Sequence, residues 1–424
     1  MAKNKIIITF TLGIAFSLIL YRAYNISMFE KSSRRSYLRG DAYSDINLYS
    51  GVKYFNDSGL KKTVGLPVHY YKVPLADTCF HPTVYTHYPA LPDILAYTYS
   101  IISGTINEFV LRCFVIVLSL VFVWFLFLVF QKIIPNYNMA LLGWCLVILS
   151  NYFIGFADSL HKHLYEELFK VIFLFVLLKY IDKPKVLHLV FLFFTMVLVS
   201  NISFEPIVYL AVVCVGVSLV NKFGLFSKLN IVVALAAFVG VLFHFYQNIC
   251  YFDSWELALK DLTDTAKLRT SGTEIANGIK KLEEPFGLQQ LILLPFTWLN
   301  RIERFFAIPA FALIIILFLV KQELKKQLPK NYFNWCLILL IASFAWCIVM
   351  SQHAYVHTFT IRHAGIFYGL LAGPLLYLFV GSFKDFKTFI LTKKILYVAL
   401  VIYILFMFLT QQIWDNFIKN TFLI

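Results

Sequence analysis

The chain has 424 residues, 60% of them hydrophobic and only 14% charged, with a formal net charge of +14. An apolar share this far above the roughly 45–50% of soluble domains excludes an ordinary soluble globular protein and points to a polytopic membrane protein forming a single integral-membrane domain over residues 1–424. The basic excess is not a nucleic-acid footprint, because most lysines stand in short loops beside apolar runs, the pattern that orients a protein in a membrane.

Residues 6–20 follow Lys3 and Lys5 and precede Tyr21-Arg-Ala-Tyr-Asn25, which offers no small-x-small cleavage site, so they read as an uncleaved first span with a cytoplasmic N-terminus. That span delivers residues 23–108 to the far side, a stretch too long for a connector and therefore functional. It carries an acid-bearing start at 39–59, a predicted helix over 43–55 and an aromatic middle, His69-Tyr-Tyr-Lys72. Residues 91–102 are apolar but too short to cross, which predicts an interfacial or re-entrant segment.

Further spans are predicted over 109–130, 140–156, 168–181, 186–199, 207–220 and 231–246. A second long extracytoplasmic loop, 248–304, precedes spans over 305–320, 335–350, 365–380 and 395–409. The expected fold is thus all-α with about eleven transmembrane helices, a length count that needs about 20 apolar residues per span. Short loops assigned to the inside all carry lysine, while short outer loops carry only Lys162 and Arg362, so the charges agree with the threading and place the C-terminus outside. The seven cysteines show no metal spacing, and only Cys79 and Cys250 fall outside the bilayer core. Asn56-Asp-Ser58 is a weak glycosylation sequon.

The sidedness gathers the ionisable groups at one face. Asp41, Asp45, Asp158, His161, His163 and Glu166 fall on the outer side, and so do Glu205, His353, His357, Arg362 and His363. Ionisable groups at membrane depth are costly and functional by default, and their convergence describes one polar site open to the outside.

Asp41 and Asp45 are four apart and share a helix face, which suits a general base or a divalent cation; Asp41 is equally suited to cap a helix beginning at Ala42. Asp158, His161, His163 and Glu166 stand at an outer span entry, where they suit hydrogen bonding to a sugar or phosphate, a metal, or a plain solvated turn with Glu166 and Glu167 at a helix start. Glu205 before Pro206 reads as a cap or as a functional acid. Ser351-Gln-His-Ala-Tyr-Val-His-Thr-Phe-Thr-Ile-Arg-His363 concentrates three histidines and an arginine, a set that suits an anionic headgroup or a snorkelled interfacial belt. His353 and His357 lack the adjacent acid of a zinc HExxH helix. In the second long loop, 254–270 predicts an amphipathic surface helix, with Lys267 and Arg269 facing headgroups or a lipid-borne phosphate.

These features together resemble the GT-C superfamily of integral-membrane glycosyltransferases, which use polyprenyl-phosphate-linked sugars. Gly40-Asp-Ala-Tyr-Ser-Asp-Ile46 is similar to the acidic motif of that family's first outer loop. Tyr88-Pro-Ala-Leu-Pro-Asp-Ile-Leu-Ala-Tyr97 and residues 104–112 resemble its proline-led juxtamembrane helix. The Asp158/Glu166 region resembles its acidic entry to span four, and residues 353–363 resemble its basic outer loop before a late span. There is no contiguous acid pair or Asp-x-Asp at the first motif, so a metal requirement is not carried over and a divalent cation stays an open option. The chain's ending soon after span eleven argues against the oligosaccharyltransferase branch.

The resemblance implies sugar transfer from a polyprenyl-phosphate donor to a glycan, lipid or protein acceptor hydroxyl at a bacterial inner membrane, with membrane lipids and no nucleic acid as partners. It implies Asp41 as base, Asp45 orienting it or the acceptor, and Arg362 and His363 on the donor phosphate with His353 and His357 assisting. Asp158 and Glu166 would bind sugar hydroxyls or steady those cations. The rivals are a lipid-linked sugar flippase, which calls for charges inside spans and broken helices where these interiors read as nearly uncharged, and an O-antigen polymerase or ligase.

Overall fold

The computed structural model describes residues 2–28, 42–72, 81–271, 286–306 and 308–382. Asp41, Cys79 and the span expected over 395–409 lie outside these residues. The architecture is all-α apart from one two-stranded antiparallel pair, β1 (Val68–His69) against β2 (Thr83–Val84). Among the described residues, five stretches are long and apolar enough to cross a membrane: Asn4–Tyr24, Glu108–Ile133, Lys228–Phe252, Lys330–Val349 and Thr358–Gly381.

In chain order, α1 is Ala2–Met28, α2 Ala42–Ser58, α3 Leu91–Ser103 and α4 Glu108–Ile133. The starts follow from local chemistry. Asn107 caps α4 by accepting from the backbone N–H groups of Phe109 and Val110 at 3.0 and 3.3 Å. Proline opens α3, where its missing N–H is no loss in the first turn.

The span expected over 140–156 is broken. α5 (Tyr137–Ile148) stops before Ser150, whose hydroxyl donates to the Val147 carbonyl at 2.6 Å, and a single turn, α6 (Asn151–Ile154), follows. Serine and asparagine here offer the backbone an alternative to the helical ladder. The span expected to begin at 168 instead starts six residues earlier, as α7 (Lys162–Asp182). Hydropathy assigned residues 162–167 to a loop because they are charged, but their charges are matched inside the bundle.

The remaining helices are α8 (Val186–Ser200), α9 (Glu205–Val220), α10 (Lys228–Phe252) and α11 (Trp255–Ser271). They are followed by α12 (Leu288–Phe305), α13 (Ala310–Gln327), α14 (Lys330–Val349), α15 (Ser351–Val356) and α16 (Gly365–Ser382). α11 is the expected surface helix; α12 in the same loop was not anticipated. Between α15 and α16, Thr358–Ala364 forms a tight 3-10 stretch.

The bundle closes where α5 meets α16. Gly365, Gly369 and Gly373 recur every four residues along α16, and a Cβ on Gly143 of α5 would overlap the Gly369 carbonyl. Small residues at this spacing let two backbones approach without side chains between them, a means of association suited to lipid, where burial of apolar surface supplies no drive.

Candidate active site

Three groups of buried polar side chains adjoin one another where α2, α4, α7, α9 and the 353–363 segment meet. The first centres on Arg112, one turn into α4 and 2% exposed. Its Nη1 donates to Asp45 Oδ2 at 3.0 Å, to Asp158 Oδ2 at 3.3 Å and to the Asp158 carbonyl at 3.0 Å, while Nη2 donates to Glu108 at 2.9 Å. The other Asp158 oxygen pairs with Arg22 of α1. Asp45 Oδ1 accepts from Ser159 Oγ at 2.8 Å and from the His161 backbone N–H at 3.0 Å. Among the described residues, three carboxylates here pair with two guanidinium groups.

The second group lies along α7. Lys162 Nζ is 2.6 Å from Glu205 Oε1 and 3.6 Å from Glu166 Oε1. Arg362 pairs with Glu166, with Glu205 at 3.5 Å and with Glu167 at 3.6 Å. Lys170, fully buried, reaches Glu167 at 2.6 Å, and Glu167 accepts from the Tyr152 hydroxyl at 2.6 Å. His363 joins the ends: Nε2 is 3.1 Å from Glu205 Oε2 and Nδ1 is 3.0 Å from Lys170 Nζ. An ammonium has no lone pair, so Nδ1 accepts and Nε2–H donates to the carboxylate, which fixes one neutral tautomer. Three glutamates and three cations balance here.

The third group surrounds Tyr88. Its ring lies under Lys162 Nζ at 3.8 Å and under the Arg269 guanidinium at 4.3 Å. Arg269 also donates to the Tyr88 hydroxyl and, at 3.2 Å, to the Tyr85 hydroxyl. Trp346 Nε1–H donates to His353 Nδ1 at 3.1 Å, so the neutral ring carries its proton on Nε2 and donates it to the Tyr88 oxygen at 3.2 Å. α11 is held over this group by Asp261, which accepts from Thr86 Oγ1 at 2.7 Å and lies 3.3 Å from His87. Burial alone would raise the Asp261 carboxyl; the His87 and Thr86 hydrogen bonds outweigh it and hold the group below its ordinary range. Burial pushes the Tyr85 phenol up to about 12, so it stays protonated.

The structure therefore brings together Asp45 and Asp158 in the first group, Glu166, Glu205, Arg362 and His363 in the second, and Arg269 and His353 in the third. His161 occupies the N-cap position of α7 without a side-chain cap bond, its ring centroid 5.3 Å from that of His163. His163 packs against Phe156 and Phe359. His357 lies beside His353 at 4.4 Å, and Arg301 holds its carbonyl. The expectation of nearly uncharged helix interiors does not hold: Arg112 and Lys170 are buried within α4 and α7. Sequence reasoning missed Arg22, Glu108, Arg112, Lys162, Lys170, Tyr85 and Tyr88 as partners. The i, i+4 pairs Glu108/Arg112 and Lys162/Glu166 were the available signal.

Glu166, Glu205 and His363 place three ligand-type atoms within 4.8 Å of one another. They do not fit a metal ion. Lys162 and Arg362 already sit against both carboxylates, and His363 spends both ring nitrogens on Glu205 and Lys170. Asp45 and Asp158 are likewise committed to arginines.

No protein-family model matches the chain, and no curated protein matches it. Among solved structures, the Archaeoglobus fulgidus oligosaccharyltransferase in complex with Zn and sulfate matches with a TM-score of 0.50 at 15% identity, over 97% of this chain and 52% of that one. The same enzyme tethered to an acceptor peptide containing the NVT sequon gives 0.47 at 12% identity, over 97% and 55%. The chain spans about half the length of these structures. At such identity the likeness is one of fold alone: this is a helical integral membrane protein whose fold is similar to that of the oligosaccharyltransferase.

Proposed function

We propose that the protein is a glycosyltransferase that moves a sugar from a polyprenyl-phosphate-linked donor to an acceptor hydroxyl on the extracytoplasmic side of a bacterial inner membrane, in the modification of cell-surface glycan. The observation that carries this reading is a site with two ends: the buried carboxylates Asp45, Glu108 and Asp158 at one, and at the other Arg269, which among the described residues donates to the Tyr88 and Tyr85 hydroxyls and to no carboxylate.

Transfer from a lipid phosphate needs those two ends. A carboxylate takes the acceptor proton, and a cation receives the charge that develops on the leaving phosphate. Asp41, immediately before α2, is the base. Asp45 is the positioning residue: its oxygens are tied to Arg112, Ser159 and His161, which fixes the first turn of α2. The acceptor oxygen, as its proton passes to Asp41, forms a bond to the anomeric carbon while the carbon–phosphate oxygen bond breaks. The phosphate leaves with the electron pair, and the anomeric centre inverts. Arg269, with His353 behind Tyr88, takes the phosphate. Arg362 and His363 serve by holding Glu166 and Glu205. The oligosaccharyltransferase of similar fold was solved with sulfate, an oxyanion of phosphate's shape.

The test is donor turnover by the purified protein, with a panel of radiolabelled polyprenyl-phosphate sugars and crude cell-envelope acceptor. Wild type transfers; Asp41→Asn and Arg269→Ala do not. Full transfer by Asp41→Asn removes the base assignment. No transfer by wild type from any donor favours the flippase reading, with which the broken α5–α6 and the buried charges are also compatible.

A further inference from the structure

We infer that α12 is an interfacial helix whose exposed apolar face takes the acyl chains of the bilayer leaflet nearest the site. By hydropathy the same residues belong to an aqueous loop, 248–304. A lipid partner for this face is independent of the glycosyl-transfer reading.

α12 is not among the stretches able to cross a membrane, because polar residues interrupt it. They do so with a period. Leu294, Trp298, Arg301 and Phe305 recur at spacings of four, three and four and are buried against the bundle. Leu288, Ile292, Phe296 and Leu299 recur at four, four and three on another face, where Ile292 is 60% and Phe296 66% exposed. Gln289, Thr297 and Asn300 fall on the remaining side. A helix with a packed side, an apolar side and a polar side, too polar to span, lies along a membrane surface.

Contacts on the buried side fix the rotation of the helix. Phe305 stacks on Phe156 at 6.1 Å, and Arg301 donates to the carbonyls of Ala354 and Tyr355 and, at 3.0 Å, of His357. Trp298 stands 4.5 Å from Phe344 of α14, ring to ring, and this contact sets the depth. α14 is one of the five stretches that can cross, and Leu337, Ile341, Phe344 and Ile348 follow one of its faces. Leu337, Ile341 and Ile348 are exposed, so this stripe is the lipid-facing side of the span. Trp298 therefore lays α12 against lipid-facing surface, and the apolar faces of the two helices are continuous. Phe344 lies about 8 Å along the axis from the end of α14 at Val349, at a rise of about 1.5 Å per residue. Interfacial helices settle about 5–10 Å into the boundary between headgroups and chains, the same level. The consequence reaches the site: the segment carrying His353 hangs, through Arg301, from a helix seated in lipid.

A genetically encoded naphthyl amino acid reads each face in the full-length protein reconstituted into phosphatidylcholine nanodiscs. It is placed singly at Ile292 or Phe296 on one face and at Gln289 or Asn300 on the other, all exposed positions that leave the core intact. The quenchers are iodide in the water and lipids brominated on the acyl chain, either near the glycerol end or near the methyl end. At 292 and 296 the expected result is stronger quenching by bromines near the glycerol end, and at least about threefold less quenching by iodide than at 289 and 300. Equal iodide quenching on the two faces puts α12 in water and overturns the inference. Protection from iodide without bromine quenching also overturns it, since protein, from this chain or a second copy, then covers the face. Stronger quenching by bromines near the methyl end overturns the interfacial placement in favour of a re-entrant helix. A monodisperse elution profile checks each labelled variant, and either position on a face suffices where the other fails to fold.

Discussion

Lys162 and Glu205 are the pair on which the balance of the central group turns, and their removal has a calculable effect. At 2.6 Å the two charges attract by about 6 kcal/mol at an effective dielectric of about 20, and Glu166 at 3.6 Å adds about 5. Desolvation of both groups offsets much of that, and breaking a buried pair by deleting one partner costs about 3–5 kcal/mol. Glu205 would still have His363 and Arg362, so Lys162→Met, which keeps the length of the stem, is expected near the lower end, about 3 kcal/mol. Glu205→Gln leaves Lys162 beside Glu166 and should cost a similar amount. Reversible unfolding of wild type, both single variants and the double variant in mixed micelles gives the cycle. The double variant is expected to be about 2–3 kcal/mol less destabilised than the sum of the singles, because neither orphaned charge remains. Strict additivity, within about 0.5 kcal/mol, would show that the two groups do not meet and would refute the charge accounting of the whole site.

Three further outcomes follow from single residues. Asp93 is buried, and burial raises its carboxyl well above the model-compound value of 3.8, so the fold penalises its ionised form increasingly as pH rises past that value. Asp93→Asn should therefore unfold at a higher temperature than wild type at neutral pH and at the same temperature below pH 3.8; equal midpoints at both refute it. His69 is held neutral to about 3 by burial and by nearby His87, so its contribution is fully present above 6.5 and is lost as pH falls from there toward about 3. The slope is at most about 1.4 kcal/mol per pH unit, reduced by the ring's residual exposure, and His69→Phe should flatten it. Gly143→Ala should destabilise by about 1–3 kcal/mol through overlap with the Gly369 backbone. Gly13→Ala in α1, with nothing within 4 Å of the new methyl, serves as its neutral control.

The long apolar runs α1, α4, α10, α14 and α16 were legible because length and hydropathy alone decide whether a segment can cross. The start of α7 was not. A window average sees Lys162, His163, Glu166, Glu167 and Lys170 as polar, whereas in the fold each charge meets a partner from another helix or from its own next turn. The convergence of Asp45, Asp158, Glu166 and Glu205 was readable from sidedness. The cations that neutralise them were not, since Arg22 and Arg112 look like ordinary flanking residues until α1 and α4 are packed against residue 158. Arg269 was read as facing headgroups or a lipid-borne phosphate, but its pairing with Tyr88, 181 positions away in the chain, has no signal in any local pattern.

Sequence reasoning put Arg362 on the donor phosphate and Arg269 at headgroups or a lipid-borne phosphate; their partners separate them differently, and two substitutions measure the separation. Arg362→Met leaves Glu166, Glu167 and Glu205 with Lys162 and Lys170 as their charged partners among the described residues, beside the neutral His363 ring, and should cost about 3–5 kcal/mol of folding stability. Arg269 is half-buried and, among the described residues, donates to the Tyr88 and Tyr85 phenols, so Arg269→Ala should change stability by about 1 kcal/mol, two modest hydrogen bonds, yet abolish phosphodiester binding. Micelle unfolding and titration with the methyl ester of a short isoprenoid monophosphate, on the same preparations, read both quantities. A folded, stable Arg362→Met that no longer binds phosphodiester, beside an Arg269→Ala that still does, would invert the assignment and make the glutamate-lined end of the site the donor end.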